Sequence, residues 1–150
     1  VKFVQRGGNV RARFGKIASE QNVHDGIKRK FGQQNFGRAV ADAEFMGFGR
    51  VPTDARGAYE FRTVKPGRVQ HPSGPLQAPH LSITVLMRGL LKPVQTRLYF
   101  PDEPSNASDP VLAAVPAERR ATLIARQLAE DGLEWDVRMQ GVHETVFFSY

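Results

Sequence analysis

Apolar and polar residues alternate along several short stretches of the chain, which is the pattern of strands with one buried face. The clearest stretches are residues 81–88 and 94–100, where an apolar residue stands at nearly every second position. Shorter alternating stretches cover residues 59–63, 135–139 and 146–150. These five strands, joined by turns, predict an all-β fold, and we expect a β-sandwich with mostly antiparallel strands.

One or two short helices are predicted near residues 110–129. Asp109 followed by Pro110 is a typical N-cap and first-turn pair, which predicts a helix over residues 111–114. A second helix is predicted from about residue 116 to residue 129, because its leucines and isoleucine fall on one side.

Charge is distributed unevenly along the chain, whose formal net charge is +6. Residues 1–38 hold nine Lys and Arg against two acidic residues, whereas the rest of the chain is close to neutral. We therefore predict two regions: a basic, glycine-rich segment at 1–38 with no assigned structure, and a β-sandwich domain at 39–150. A weak helix around Val23 and a short strand over residues 1–4 are further expectations for the first region.

Composition narrows the class of protein. The 150 residues include no cysteine, so disulfides and thiolate chemistry are excluded. No apolar run approaches the roughly 20 residues that span a bilayer, and no secretory signal pattern is visible. We expect a cytoplasmic protein with no membrane partner.

His80 is the residue that most resembles a metal ligand, because it stands at the head of a predicted strand. A second histidine two residues later would lie on the same face and complete half of a metal site, but Ser82 stands there and is a poor ligand. The other histidines, His24, His71 and His143, lie in unrelated contexts. We expect this chain to hold no metal by itself and to carry no catalytic residue.

Arg88 is the predicted substrate-binding residue. It follows a strand directly, and a guanidinium at such a position can bind a substrate carboxylate through two parallel hydrogen bonds. A salt bridge at the strand end is the alternative interpretation. Two further expectations are that Arg97 pairs with an acid such as Asp102, and that Arg119 and Arg120 form a solvated helix face.

Four blocks of the chain together resemble one enzyme family. They are residues 47–67, 77–100, 108–125 and 135–150, and they contain the motifs TVKPG, APH, TRLYF, DPVL, RRATLIA and QGVHETVFF. In this order the motifs are similar to those of the intradiol ring-cleavage dioxygenases, and most of all to the α subunits of the protocatechuate 3,4-dioxygenase group. The resemblance covers about two thirds of the chain.

The resemblance implies a β-sandwich core and a hetero-oligomer with a β subunit. Such an enzyme uses O₂ to cleave protocatechuate to 3-carboxy-cis,cis-muconate, in the β-ketoadipate pathway of aromatic catabolism. The resemblance also implies that the cofactor, Fe(III), is held by two tyrosines and two histidines of the β subunit. The α subunit is then an enzyme subunit that is inactive alone.

The residues here match the non-iron-binding α type. Ser82 replaces the second histidine of the strand-head pair, and Arg68-Val69 occupies the place of a tyrosine ligand after the Lys-Pro-Gly motif. The resemblance therefore implies that His80 marks a vestigial metal site. It also places an arginine at the position of Arg88, near the opening of the active site.

Two alternatives remain. Residues 6–38 do not look like the family, so the chain could be an inactive, truncated copy of the subunit. A non-catalytic β-sandwich binding module with a basic arm contacting nucleic acid is the other alternative. We rank this alternative below the enzyme subunit and expect no nucleic-acid partner.

Overall fold

A computed structural model describes residues 2–5, 10–14, 49–63, 65–70, 74–128 and 132–149, the first two ranges as backbone strands only. Its ten strands are β1 (Lys2–Gln5), β2 (Val10–Phe14), β3 (Arg50–Pro52), β4 (Ala58–Tyr59), β5 (Val69–Gln70), β6 (Leu76–Gln77), β7 (His80–Met87), β8 (Val94–Tyr99), β9 (Arg126–Gln127) and β10 (Leu133–Val137).

The strands form two four-stranded sheets and one small sheet. The first four-stranded sheet has the order β3-β1-β7-β8, the second has the order β4-β2-β10-β9, and β5 pairs with β6. The longest ladder is the antiparallel β7–β8 hairpin, whose six pairs run from His80 opposite Tyr99 to Val85 opposite Val94. Strand β1 runs parallel to β3 and β7, and β2 runs parallel to β4, so the described sheets are mixed.

Side chains from both four-stranded sheets meet in one hydrophobic cluster. Ile83, Val85 and Leu98 come from the first sheet, and Trp135 and Val137 come from the second. These positions confirm the alternation predicted for residues 81–88, 94–100 and 135–139, because burying one face of a strand selects apolar residues at every second position. The all-β prediction is confirmed, and closure into a sandwich stays a prediction.

A second hydrophobic cluster contains Tyr99, whose neighbours along β8 face the opposite way. It consists of Ala78, Tyr99, Leu112, Val115 and Leu123. Leu112 lies in α1 (Pro110–Ala114), and Val115 is the C-cap of that helix. Leu123 lies in a 3₁₀ turn at Ala121–Leu123, which follows α2 (Ala117–Arg120). Another 3₁₀ turn, Pro104–Ser108, precedes α1.

The prediction of a helix from about residue 116 to residue 129 was wrong for the second half of that range. The α-helix ends at Arg120, and after the 3₁₀ turn the chain extends into β9. The amide of Ala125 donates to the carbonyl oxygen of Tyr99 at 3.0 Å, so the chain pairs with the edge of β8 instead of continuing as a helix. Leu128, predicted on the buried side of the helix, is 36% exposed.

Three other predictions also differ from the structure. The strand expected at residues 59–63 is limited to β4, and the loop expected at 68–79 contains the β5–β6 pair. The strand expected at 146–150 is reduced to one bridge, in which the Phe148 amide donates to the Gln95 carbonyl at 2.8 Å. The contacts of β4 with β2 and of Phe148 with Gln95 join distant parts of the chain, which local alternation does not reveal.

The N-terminal region is described only in part. Strand β1 confirms the short strand expected there, and β2 is a further strand that the sequence did not suggest. The weak helix around Val23 lies outside the described residues, and the boundary between 38 and 39 stays a prediction. No helix in the described part of the chain has the length and apolar character needed to cross a bilayer.

We expect the shared hydrophobic cluster to dominate stability. Leu98 is 1% exposed, so Leu98→Ala should lower the free energy of unfolding by about 2–5 kcal/mol through lost burial and a cavity. Leu91→Ala is the matched control, because Leu91 is fully exposed and its truncation should change stability by less than about 0.5 kcal/mol. Urea unfolding of both variants measures the difference, and equal losses would contradict this account of the core.

Candidate functional site

His80 opens strand β7 and is half-buried. Its Nδ1 lies 2.8 Å from the carbonyl oxygen of Ala78. A carbonyl oxygen only accepts, so Nδ1 carries the proton and Nε2 is left with a lone pair. The imidazole tilts against the ring of Tyr99, with the ring centroids 5.6 Å apart. This is the orientation that a metal-binding histidine needs, with the second nitrogen fixed by the backbone.

Asp109 is fully buried, with 0% exposure, and its carboxylate interacts electrostatically with this histidine. Its Oδ2 accepts from the amide of Ala78 at 2.7 Å, and its Oδ1 accepts from the amide of Leu112 at 2.7 Å and from the hydroxyl of Tyr99 at 3.1 Å. The bond to Leu112 confirms the predicted N-cap of α1. The same carboxylate therefore joins a helix start, a strand start and the end of β8.

Arg97 completes what we call the polar cluster, which consists of Gln77, His80, Arg97, Tyr99 and Asp109. Its Nη1 donates to the Oε1 of Gln77 at 2.8 Å, and its guanidinium lies 5.9 Å from the centre of the Phe148 ring. The predicted pairing of Arg97 with Asp102 was wrong. Asp102 is bound instead by Lys65, whose ammonium lies 3.0 Å from it and 3.3 Å from Glu103.

Burial controls the protonation of the cluster. It lowers the pKa of His80 below the usual histidine value, and the nearby charge of Arg97 acts in the same direction, while the Ala78 carbonyl and Asp109 oppose it. Burial also raises the pKa of Tyr99 above its ordinary value. At neutral pH the histidine is therefore neutral and the tyrosine is a phenol, which donates to Asp109.

Arg88 occupies the other end of β7. It is exposed in the turn that follows the strand, where Gly89 has a φ of 92° and the Leu90 amide donates to Met87 at 3.3 Å. Eight residues at about 3.3 Å each separate Arg88 from His80 by about 26 Å. The two predicted site residues are thus not brought together, and within the described ranges no salt bridge involves Arg88.

A cleft of about 550 Å³ lies beside β10 on the second sheet. Ala121, Ile124 and Trp135 form part of its lining, and Glu118 and His143 also border it. No sequence pattern predicts this cleft, because it arises where the 3₁₀ turn, β9 and β10 meet.

Comparison with known proteins reveals clear relatives. The protocatechuate 3,4-dioxygenase alpha chain of Burkholderia cepacia is 52% identical over 116 residues, which are 73% of this chain and 57% of that protein. The alpha chain of Pseudomonas putida is 44% identical over 113 residues, 71% of this chain and 56% of that protein. The beta chain of Burkholderia cepacia is 33% identical over 113 residues, 69% of this chain and 48% of that protein. No protein-family model matches the chain.

The chain is homologous to the protocatechuate 3,4-dioxygenase alpha chains. Identity to the two alpha chains, at 52% and 44%, exceeds the 33% to the beta chain. The resemblance seen in the sequence is confirmed. The chain spans little more than half the length of the alpha chains it matches.

The described residues of this alpha-chain homologue do not fit a ferric ion. Iron(III) prefers several anionic oxygen and imidazole ligands, and His80 has only the exposed Ser82 as its neighbour on the same strand face. Val69 is 43% exposed on β5 and carries no donor atom. Among the residues that the structure describes, no group of three histidine or acidic side chains is placed to hold a metal. His71 lies outside those residues.

The alpha-chain homologue also holds functional groups that the sequence did not single out. Tyr99 and Gln77 join the polar cluster through long-range contacts, so no local pattern identifies them. Arg120 was expected on a solvated face, but its guanidinium donates to the carbonyl oxygens of Val115 and Ala113 at 2.8 and 2.9 Å. It thereby caps the end of α1. Asp109 did have a local signal, because the Asp109-Pro110 pair predicted it as an N-cap.

Replacing the buried carboxylate tests the polar cluster. Asp109→Asn should lower the free energy of unfolding by about 2–4 kcal/mol, because an amide NH₂ would face a backbone donor and the charge-assisted bonds would be lost. Tyr99→Phe removes one donor alone and should cost about 1 kcal/mol. Chemical denaturation measures both. A smaller loss for Asp109→Asn than for Tyr99→Phe would show that Asp109 does not organise the cluster.

His80 should make the fold less stable in acid. Its pKa is lowered in the folded state, so below the unfolded pKa of about 6.5 the unfolded chain binds a proton that the folded chain does not. The free energy of unfolding should therefore fall as the pH drops from about 7 to about 5. His80→Asn, which can still donate to Ala78, should show a smaller fall in urea titrations at the two pH values. Parallel pH profiles for wild type and variant would refute the assignment.

Proposed function

We propose that the chain is the alpha, non-iron-binding subunit of a cytoplasmic protocatechuate 3,4-dioxygenase. In this proposal a beta subunit holds Fe(III), and the two chains together support intradiol cleavage of protocatechuate by O₂ to 3-carboxy-cis,cis-muconate. The single observation that carries the proposal is the 52% identity to the Burkholderia cepacia alpha chain, against 33% to the beta chain.

Within this proposal His80 is the remnant of a metal site. In support, its Nδ1 is still held by a backbone carbonyl, as in a ligating histidine, while Ser82 and Val69 supply no comparable ligand. Arg97 further supports this role, since a guanidinium beside the imidazole opposes the approach of another cation. No catalytic step is assigned to this chain.

Arg88 is proposed to face the substrate across the subunit boundary. Its exposure at the end of a rigid hairpin leaves the guanidinium accessible. A guanidinium can bind a carboxylate through two parallel hydrogen bonds. Protocatechuate offers such a carboxylate. In this role Arg88 would bind and orient the substrate and would not touch the iron.

The proposal is tested by co-expressing the chain with the Burkholderia cepacia beta chain. Iron content and oxygen uptake on protocatechuate are measured for the beta chain alone, for this chain alone and for the pair. We expect iron and activity with the pair and neither with this chain alone. Equal activity of the beta chain with and without this chain would contradict the proposal. It would favour the alternative that the chain is an inactive copy of the alpha subunit. The nucleic-acid alternative is not favoured by the relatives found.

In the active pair, replacing Arg88 should weaken substrate binding. Loss of a charged hydrogen-bonding partner costs about 1.5–3 kcal/mol, so Arg88→Ala should raise KM for protocatechuate by roughly tenfold to a hundredfold. Arg88→Lys should recover part of this, because the charge is kept but the paired geometry is lost. Arg56→Ala, at an exposed arginine in another turn, is the control and should leave KM unchanged. An unaltered KM for Arg88→Ala would exclude the substrate role.

A further inference from the structure

The turn at the tip of the β7–β8 hairpin carries apolar side chains that remain in contact with solvent. Leu91 is fully exposed, Pro93 is exposed and Leu90 is half-buried. The six-pair ladder of β7 and β8 holds the turn in place, so the tip would lose little conformational freedom on binding a partner.

Leu91 contributes nothing to the core of its own chain. It belongs to neither hydrophobic cluster, and all of its apolar surface faces water. A single exposed leucine is ordinary on a protein surface and does not by itself indicate a partner. What distinguishes Leu91 is its position in the same turn as Arg88, three residues further along the chain.

The distance between these two residues is short on the scale of a protein interface. Three residues span at most about 11 Å, so the Cα atoms of Arg88 and Leu91 lie within that distance of each other. A stable interface buries about 800 Å² on each partner, which corresponds to a circular patch about 16 Å in radius. A contact of Arg88 with substrate held by a beta subunit would therefore bring Leu91 to the surface of that subunit.

We propose that Leu91 anchors this chain to the beta subunit by inserting into an apolar pocket on its surface. The inference rests on the proposed function, because it takes the substrate role of Arg88 as its starting point. The two residues then have separate tasks: Leu91 binds the partner protein, and Arg88 binds the substrate. Lys92 lies at the exposed rim of this contact, where a charge adds little to affinity.

The test titrates the purified full chain against the Burkholderia cepacia beta chain and measures Kd by sedimentation. Leu91→Ala should raise Kd about tenfold to a hundredfold, because most of a buried leucine side chain is lost. Leu91→Met keeps the apolar volume and should recover most of the affinity. Val142→Ala is the matched control: Val142 is 96% exposed in another turn, and its truncation should leave Kd unchanged.

Oxygen uptake on protocatechuate separates assembly from substrate binding. With enough Leu91→Ala protein to saturate the beta chain, KM should equal the wild-type value. Arg88→Ala should do the opposite, raising KM while Kd for the beta chain stays near that of wild type. Urea unfolding of each variant checks that it folds like wild type, as the full exposure of Leu91 leads us to expect.

The outcomes distinguish this inference from the proposed function. If Leu91→Ala binds the beta chain as tightly as wild type and the pair is active, the anchor is overturned and the subunit assignment stands. An equal loss of affinity in Val142→Ala also overturns the anchor, because the effect would not be specific to the hairpin tip. If wild type neither binds the beta chain nor raises its activity, the proposed function fails and this inference fails with it.

Discussion

The buried carboxylate of Asp109 is the constraint on which the rest of the site depends. A carboxylate taken out of water must be satisfied by donors, and this one is satisfied by three that come from different parts of the chain: Ala78, Tyr99 and Leu112. The first precedes β7, the second ends β8 and the third lies in α1. Their common acceptor fixes how the helical part meets the first sheet, and so fixes the surroundings of His80.

The side chains of the polar cluster are held together by partners within the protein. His80 keeps the backbone bond that orients its ring, and Tyr99 keeps a proton that an acceptor holds in place. Arg97 is accommodated by the Gln77 amide and the Phe148 ring. Since His80, Tyr99 and Asp109 each have a hydrogen-bond partner inside the protein, the cluster contributes to the stability of the fold as it stands.

Sequence reasoning succeeded where burial leaves a local pattern and failed where distant contacts decide. Alternation identified β7, β8 and β10 because one face of each is buried, and the Asp-Pro pair identified the start of α1. The end of the second helix depends on the hydrogen bond from Ala125 to Tyr99, which no local sequence pattern predicts. The partner of Arg97, which is Gln77, could not be predicted for the same reason. The relatives confirm the family that the sequence motifs indicated, whereas the roles of His80 and Arg88 stay predictions.

The placement of β1 and β2 has a consequence for how the chain reaches its native state. Each lies inside a four-stranded sheet, and Lys2 pairs with Thr84 while Val10 pairs with Val137. During synthesis both strands emerge before these neighbours do, so their pairing is completed only after β7 and β10 have been synthesised. Such late, distant pairing slows folding and leaves strand edges open to aggregation until it is complete.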